Sequence, residues 1–321
     1  MIRKKHIIKF RHQTSGIQLN ITAQHSNRTS SNMTATNEIT IGVLALQGAF
    51  EEHQECIEKG TGCKTIQVKT PAQLEGIDGI IFPGGESTAM GLIGSVDGMW
   101  TALKAFTETG KPVWGTCAGM ILLAERCVGG SAVIENGQSL IGGLDILVCR
   151  NYFGSQVSSF EMATPAPPGF EEGGKYPGIF IRAPAILTVG EGIEVLGKVV
   201  ATPCRQAAVV LRELENKIAN GENVVMMNVI DALERKDGLK YVDVKRECVP
   251  SADGDEKKDL SITEMEKIEL PGAADGTNAR EVICAARKNN ILITAFHPEI
   301  TTDYRWHKYF YNIVKEASFK C

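Results

Sequence analysis

The sequence has 321 residues, of which 43% are hydrophobic, and a formal net charge of −4. This length allows one large domain or two small ones, and the slightly acidic balance gives no electrostatic reason to expect nucleic acid or an anionic membrane as a partner. No apolar run approaches the roughly 20 residues that a membrane-spanning helix needs. The nine cysteines include no C-x-x-C pair and no nearby histidine cluster, which argues against a disulfide framework and a metal site and indicates a reducing, cytoplasmic environment.

Residues 1–37 differ from the rest of the chain, because they contain basic and small polar residues but no acidic residue. They contain no clear apolar segment followed by a small-residue cleavage site, which argues against a secretory signal. We interpret them as a disordered extension, with Met33 as an alternative start, and organellar targeting by this basic segment stays open as an alternative. Residues 38–321 are then predicted to form a single domain.

After this extension, apolar strand-like runs alternate with helix-like segments. The predicted strands lie at 39–46, 64–68, 79–82 and 112–114, and the predicted helices at 50–59, 97–109 and 120–124. This alternation predicts an α/β fold in three layers, with a mostly parallel sheet and helices on both faces. The carboxyl ends of the strands are the ligand-binding edge of such a sheet, and the loops at 47–48, 84–87 and 117 fall there.

The second half of the chain departs from this pattern twice. Short β-rich runs predict mixed or antiparallel structure added to the parallel core, at 144–149, 158–162, 178–181 and 194–200. Residues 211–280 are dense in charge of both signs, which predicts a solvated and partly disordered insertion. The core pattern then resumes at 282–286, with a strand at 291–296 and a final helix at about 303–317.

The segment Gly115-Thr116-Cys117-Ala118-Gly119 joins a predicted strand to an apolar helix. A strand, a sharp turn with a reactive residue and a helix follow one another in this order in a nucleophile elbow. Small residues on either side prevent collisions between strand and helix, and the first N–H groups of the helix would face the sulfur and offer donors to an oxyanion. The motif alone is equally consistent with a buried cysteine near a tight turn.

A cysteine nucleophile needs a base and a group that orients the base. Of the six histidines, only His297 directly follows a buried strand, and Glu299 comes two residues later. His53 is predicted on the first helix, away from the strand ends, and His307 in the last helix. We therefore predict a triad of Cys117, His297 and Glu299, although a His-Pro-Glu segment alone is also typical of a surface turn.

These residues together resemble the class I, or triad, glutamine amidotransferases. Four further stretches resemble more closely the glutaminase subunit of pyridoxal 5′-phosphate synthase, in the order of that family: GVLALQG (42–48), PGGEST (83–88), RNYFGSQ (150–156) with SFE (159–161), and FIRAP (180–184). The match covers about 39–210 and 281–318. The resemblance implies a flavodoxin-like glutaminase domain over 38–321, interrupted by the insertion at about 211–280.

The resemblance also implies a reaction, in which the side-chain amide of L-glutamine is hydrolysed through a glutamyl thioester on Cys117. His297 would act as the base, and the backbone N–H groups of Gly85 and Ala118 would form the oxyanion hole. The glutamine-binding positions of the family map to Gly85, Glu86, Ser87, Arg150, Ile181 and Arg182. An arginine suits the α-carboxylate of the substrate, whereas for Arg150 alone a solvated charge at a strand end is an equal alternative. No cofactor and no metal is implied.

In the family, ammonia passes to a separate (β/α)₈-barrel synthase subunit within a large hetero-oligomer, with the turn at Gln47 and Gly48 at the interface. The resemblance implies the same partner here. Ser155 stands where the family usually has arginine, which puts a local contact in doubt, and the 211–280 insertion has no counterpart in the compact bacterial form. Two alternatives stay open: a glutaminase of another pathway or a related intracellular cysteine hydrolase, and a non-catalytic regulatory binding subunit.

Overall fold

The computed structural model describes residues 38–129, 140–154, 159–220, 227–228, 270–274 and 278–319. The strands in these ranges are β1 (Thr40–Leu44), β2 (Lys64–Val68), β3 (Gly79–Phe82), β4 (Val113–Thr116), β5 (Ala124–Val128), β6 (Leu144–Cys149), β7 (Ser159–Thr164), β8 (Tyr176–Ile181), β9 (Ala185–Val189), β10 (Glu194–Ala201), β11 (Met227–Asn228), β12 (Arg280–Lys288) and β13 (Ile291–Thr294). The helices are α1 (Phe50–Thr61), α2 (Ser87–Gly94), α3 (Met99–Glu108), α4 (Ala118–Leu123), α5 (Arg205–Ala219) and α6 (Arg305–Ser318).

One large sheet forms the centre of the described structure, in the order β11-β5-β6-β9-β12-β13-β4-β3-β1-β2, with β10 paired to β12. The five strands at one end, β13-β4-β3-β1-β2, are all parallel. Antiparallel pairs dominate the other half, and β7 and β8 form a separate hairpin. The predicted α/β fold, with a parallel core and added mixed β-structure, is confirmed.

Strand β4 shows that helices cover both faces of the parallel core, since successive side chains of a strand point to opposite faces. Trp114 makes ring contacts with His53 of α1 and His307 of α6, so these two helices lie on one face. A β-carbon added at the next residue, Gly115, would lie 2.8 Å from Leu123 of α4. Helix α4 therefore packs on the opposite face, where it also contacts α2.

Five elements were missed by the sequence patterns, namely α2, α5, β5, β9 and β11, and α5 also alters one predicted boundary. The predicted insertion begins at about 211, but residues 211–219 belong to α5, whose Leu211 and Leu214 are buried. These residues are therefore part of the folded core. Residues 1–37, Ser155 and most of 221–277 lie outside the described residues, so the extension and the remainder of the insertion stay predictions. No helix in the described ranges is both long and apolar enough to cross a membrane.

Replacement of Leu214 by alanine tests whether α5 contributes to the core. Leu214 is 4% exposed, and its truncation is expected to lower the free energy of unfolding by about 2–3 kcal/mol, through lost burial and the cavity left behind. Val209 of the same helix is 48% exposed, so Val209→Ala is the matched control and should change stability by less than about 0.5 kcal/mol. Equal effects of the two substitutions in chemical denaturation would contradict this packing.

Candidate active site

Cys117 lies in the sharp turn between β4 and α4, at the carboxyl end of the parallel strands. Its backbone has φ 46° and ψ −100°, a strained conformation for a residue with a side chain. The Cys117 N–H donates to the Thr294 carbonyl at 2.8 Å, which ties the turn to the neighbouring strand β13. A β-carbon at Gly119 would lie 2.0 Å from the Phe82 carbonyl oxygen, so only glycine permits this approach of helix and strand.

His297 reaches this turn from the end of β13. Its side chain interacts electrostatically with that of Cys117, and its Nδ1 lies 2.7 Å from Glu299 Oε1. The His297 N–H donates to the Ile179 carbonyl at 2.8 Å, which fixes the backbone against β8. The structure thus brings together the three residues that the sequence predicted as a triad, and all three are buried.

The electrostatics of His297 suit a base. Burial alone would lower the pKa of His297, but its contacts with the Cys117 sulfur and with Glu299 outweigh burial and raise that pKa well above the usual range. Burial likewise opposes ionisation of Glu299, but His53 and His297 hold the pKa of this carboxyl below its usual range. The imidazole therefore binds a proton more strongly than a free histidine does, as a residue that accepts a thiol proton must.

The loop after β3 lies directly beside this group. The Glu86 N–H donates to Gln47 Oε1 at 2.7 Å, and the Ala49 N–H donates to the Gly84 carbonyl at 3.0 Å. The turn at Gln47 and Gly48 thus supports the loop that carries Gly85. The backbone N–H groups of Gly85 and Ala118 donate no hydrogen bond within the described part of the chain, so both are available to an oxyanion.

Two arginines and one carboxylate lie next to the loop. Arg150 Nη2 is 3.7 Å from Glu86 Oε1, and Arg182 Nη1 is 3.7 Å from Glu86 Oε2. Arg150 also donates to the hydroxyls of Ser87 at 3.4 Å and Thr88 at 3.3 Å, while its buried Nε has no hydrogen-bond partner among the described atoms. Arg182 follows Ile181 at the end of β8 and has φ 47°. The predicted substrate-binding residues are therefore neighbours.

The prediction that His53 lies away from the strand ends is wrong. His53 Nε2 is 3.3 Å from Glu299 Oε2 and 3.1 Å from Thr116 Oγ1, and its Nδ1 is 3.0 Å from His307 Nε2. The first helix places this residue under the carboxyl end of β4, because α1 runs across the face on which Thr116 and Trp114 project. Two buried histidines therefore extend the group of His297 and Glu299.

The described residues offer little for other site chemistry. No group of three or more His, Cys, Asp or Glu side chains in them is arranged to hold a metal ion. The seven described cysteines are free thiols. Burial raises the pKa of Cys56, Cys127, Cys149 and Cys284 to about 12, so these four are poor nucleophiles near neutral pH.

The matches of this chain to a sequence family, to related sequences and to solved structures agree with one another. The sequence model of the SNO glutamine amidotransferase family matches residues 43–228. A "Probable pyridoxal 5'-phosphate synthase subunit PDX2" from Arabidopsis thaliana is 37% identical over 281 residues, covering 87% of this chain and 87% of the relative. A "Pyridoxal 5'-phosphate synthase subunit PdxT" from Kineococcus radiotolerans is 32% identical over 277 residues, covering 86% and 95%. A solved "Crystal structure of glutamine amidotransferase" has a TM-score of 0.54 and 28% identity, covering 86% of this chain and 98% of that one.

Proposed function

Because this chain belongs to the SNO glutamine amidotransferase family, we propose that it is the glutaminase subunit of pyridoxal 5′-phosphate synthase, with Cys117, His297 and Glu299 as its catalytic triad. The observation that carries the proposal is the contact of a strained, turn-borne cysteine with a histidine whose other ring nitrogen is 2.7 Å from a buried carboxylate. A nucleophile, a base and an orienting group in this order are what acyl transfer requires.

The reaction follows from this geometry. His297 takes the thiol proton of Cys117, and the sulfur attacks the side-chain carbonyl carbon of L-glutamine. The N–H groups of Gly85 and Ala118 stabilise the tetrahedral oxyanion. His297 then returns the proton to the leaving nitrogen, the C–N bond breaks, and ammonia departs. Water, deprotonated by His297, hydrolyses the remaining thioester to L-glutamate and frees the thiol.

The α-carboxylate and α-ammonium groups of glutamine fit the charged neighbours of the loop. Arg150 has an unpartnered buried Nε and Arg182 lies on the other side of Glu86, so a carboxylate placed between the arginines would gain charge-assisted hydrogen bonds. The Glu86 carboxylate is 44% exposed and would face the α-ammonium group. Ser87 and the end of β8 at Ile181 complete the proposed pocket.

Replacement of Arg150 by lysine tests this pocket. A lysine keeps the charge but loses the planar fork that binds a carboxylate through two hydrogen bonds, so Arg150→Lys is expected to raise KM for glutamine by about 10- to 100-fold, with a smaller change in kcat. Arg126, which pairs with Asp145 on the surface, gives the control Arg126→Lys, expected to leave KM within about twofold. An unchanged KM in Arg150→Lys would remove this arginine from the substrate site.

Ammonia in water at neutral pH is mostly ammonium, which is not nucleophilic, so the product has to reach its acceptor directly. We propose a (β/α)₈-barrel synthase subunit as the partner, in a hetero-oligomer that the turn at Gln47 and Gly48 contacts. The free thiols support a reducing compartment, and we propose the cytoplasm. The deciding experiment measures ammonia and glutamate release from L-glutamine by the full chain, with and without the purified synthase subunit. Release in neither condition would contradict the proposed function.

A further inference from the structure

Glu299 is contacted by a second histidine, from a helix that carries no member of the triad. His53 of α1 is fully buried, and its Nε2 lies 3.3 Å from Glu299 Oε2. The other carboxylate oxygen, Oε1, is 2.7 Å from His297 Nδ1. Each oxygen of the carboxylate therefore faces a different imidazole. Among the described residues Oε2 accepts no hydrogen bond, and His53 Nε2, which is also 3.1 Å from Thr116 Oγ1, is the imidazole nitrogen beside it.

We propose that His53 is a positioning residue for glutamine hydrolysis, whose Nε2–H holds the ionised carboxylate of Glu299 so that this carboxylate keeps His297 aligned with Cys117. The inference rests on the proposed glutaminase function and adds a residue outside the triad, the oxyanion hole and the substrate pocket. His307 in turn fixes the orientation and the tautomer of His53.

The hydrogen bonds indicate which ring nitrogens carry protons. His53 Nδ1 is 3.0 Å from His307 Nε2, and His307 Nδ1 is buried without a hydrogen-bond partner among the described residues. A proton on His307 Nδ1 would bury an unsatisfied donor, which proteins avoid more strictly than an unsatisfied acceptor. We therefore assign the proton of His307 to Nε2, donating to His53 Nδ1. The proton of His53 is then on Nε2, facing Glu299 Oε2 and Thr116 Oγ1.

Burial lowers the pKa of both His53 and His307, so near neutral pH each is a neutral imidazole with one donor and one acceptor. A carboxylate buried without donors takes up a proton, and a protonated Glu299 no longer favours an imidazolium at His297. Loss of the His53 donor should therefore raise the pKa of Glu299. The ionised form of Glu299, which supports the imidazolium at His297, should then be lost at a higher pH than in the wild type.

Further titratable groups lie around His53 and Glu299. They come from several elements: Glu52 and Cys56 of α1, Tyr176 of β8, His307 of α6, and the triad residues Cys117 and His297. Burial raises the pKa of Cys56 to about 12 and also raises that of Tyr176. Neither ionises in the acidic range. The pKa of His307 lies well below its ordinary value, so the His307 ring stays neutral over most of that range. The acid limb of activity therefore reports on Glu299 together with its neighbours His53 and His297, and since both His53 variants lack the imidazole, a difference between them reports on Glu299.

The test uses two amide substitutions that differ in reach. In His53→Gln the amide nitrogen takes the place of the imidazole Nε2, whereas in His53→Asn it takes the place of Nδ1 and falls short of Glu299. Both side chains are polar and uncharged, so the two substitutions should lower the free energy of unfolding by similar amounts. Glu55→Gln, at an exposed position of the same helix, is the control. Each full-length variant is assayed for glutamine hydrolysis across pH with the synthase subunit present.

We expect His53→Asn to lose about 10- to 100-fold in kcat/KM and its acid limb to move up by about one pH unit. His53→Gln should keep activity within about threefold of wild type with an unmoved acid limb, and Glu55→Gln should match wild type. Equal losses in the two His53 variants with unmoved acid limbs would indicate a merely structural role and overturn the proposal. Wild-type behaviour of His53→Asn would overturn it as well.

A glutamine-independent measurement separates this inference from the proposed function. Alkylation of Cys117 by iodoacetamide, followed across pH by mass spectrometry of the Cys117 peptide, reports the thiolate without any substrate. An upward move of its acid limb in His53→Asn but not in His53→Gln supports the positioning role even where glutamine is not hydrolysed. Identical alkylation profiles in both variants and wild type reject that role even where hydrolysis is intact.

Discussion

Cys117→Ala is expected to reduce glutamine hydrolysis by about 10⁴-fold or more, because without the sulfur no thioester forms and the remaining groups have no nucleophile to activate. The oxyanion donors and the substrate pocket stay in place, so KM for any residual reaction should change little. Release of ammonia is the measurement, with the synthase subunit present. Covalent attachment of a glutamine-like diazoketone, traced to Cys117 in the wild type and absent from the variant, is the second readout.

Cys63→Ala provides the matched control for this substitution. Cys63 is also buried, at 7% exposure, but it precedes β2 and therefore lies at the opposite edge of the parallel strands. Its sulfur is hydrogen-bonded to the backbone carbonyls of Ile39 and Lys64. Activity in Cys63→Ala should stay within about twofold of wild type. Retention of more than a tenth of the activity in Cys117→Ala would exclude Cys117 as the nucleophile.

The parallel core was predictable because its signals are local. The strands β1, β3 and β4 are short, largely apolar runs between turn residues, β2 alternates polar and apolar residues, and β2 and β3 have the bounds that the sequence predicted. Helix α2 was missed because its first residues, Ser87 and Thr88, continue a glycine-rich loop and its later residues carry no polar stripe. Helix α5 was missed because its charged face dominates the composition, although Leu211 and Leu214 lie three residues apart on its buried side.

The site was predictable where chain order alone decides position. Cys117 and His297 each follow a strand of one parallel sheet, so both must lie at the same edge. The contact of His53 with Glu299 depends instead on how α1 packs across that sheet, which chain order does not determine. A usable signal was present nonetheless. His53, Cys56 and Ile57 fall at i, i+3 and i+4 and are the buried residues of α1, a pattern that indicates a histidine facing the interior.

Gly84→Ala is expected to lower kcat by about 100-fold or more while leaving the fold intact. A β-carbon at Gly84 would lie 2.3 Å from His297 Cε1 and 2.6 Å from Nδ1, so the imidazole would have to move by about 1 Å, and a displacement of that size at a reacting group typically costs about 100-fold. The same β-carbon would approach Glu299 Oε1 to 3.4 Å. The hydrogen bond between base and carboxylate would therefore be disturbed together with the base.

The alternative, a shift of the loop, is opposed by its own contacts. The Gly84 carbonyl accepts from Ala49 N–H at 3.0 Å, and the chain at Gly48 passes close to the same oxygen, with φ +102°. The backbone of His297 donates to the Ile179 carbonyl and accepts from the Ile300 N–H, whereas its ring can turn about the side-chain bonds. The strain is therefore relieved at the imidazole, which predicts slower alkylation of Cys117 by iodoacetamide, along with the loss of kcat.

The control is Gly272→Ala, since a β-carbon at Gly272 has nothing within 4 Å. It should leave kcat and the unfolding midpoint unchanged, and Gly84→Ala should shift that midpoint far less than it lowers kcat. Activity of Gly84→Ala within about threefold of wild type would mean that the loop at Gly84 shifts and the His297 imidazole keeps its position. In that case Gly84 would be needed only for the conformational freedom of its backbone and not for the space beside His297. The alignment of His297 would then depend on Glu299 and His53 alone.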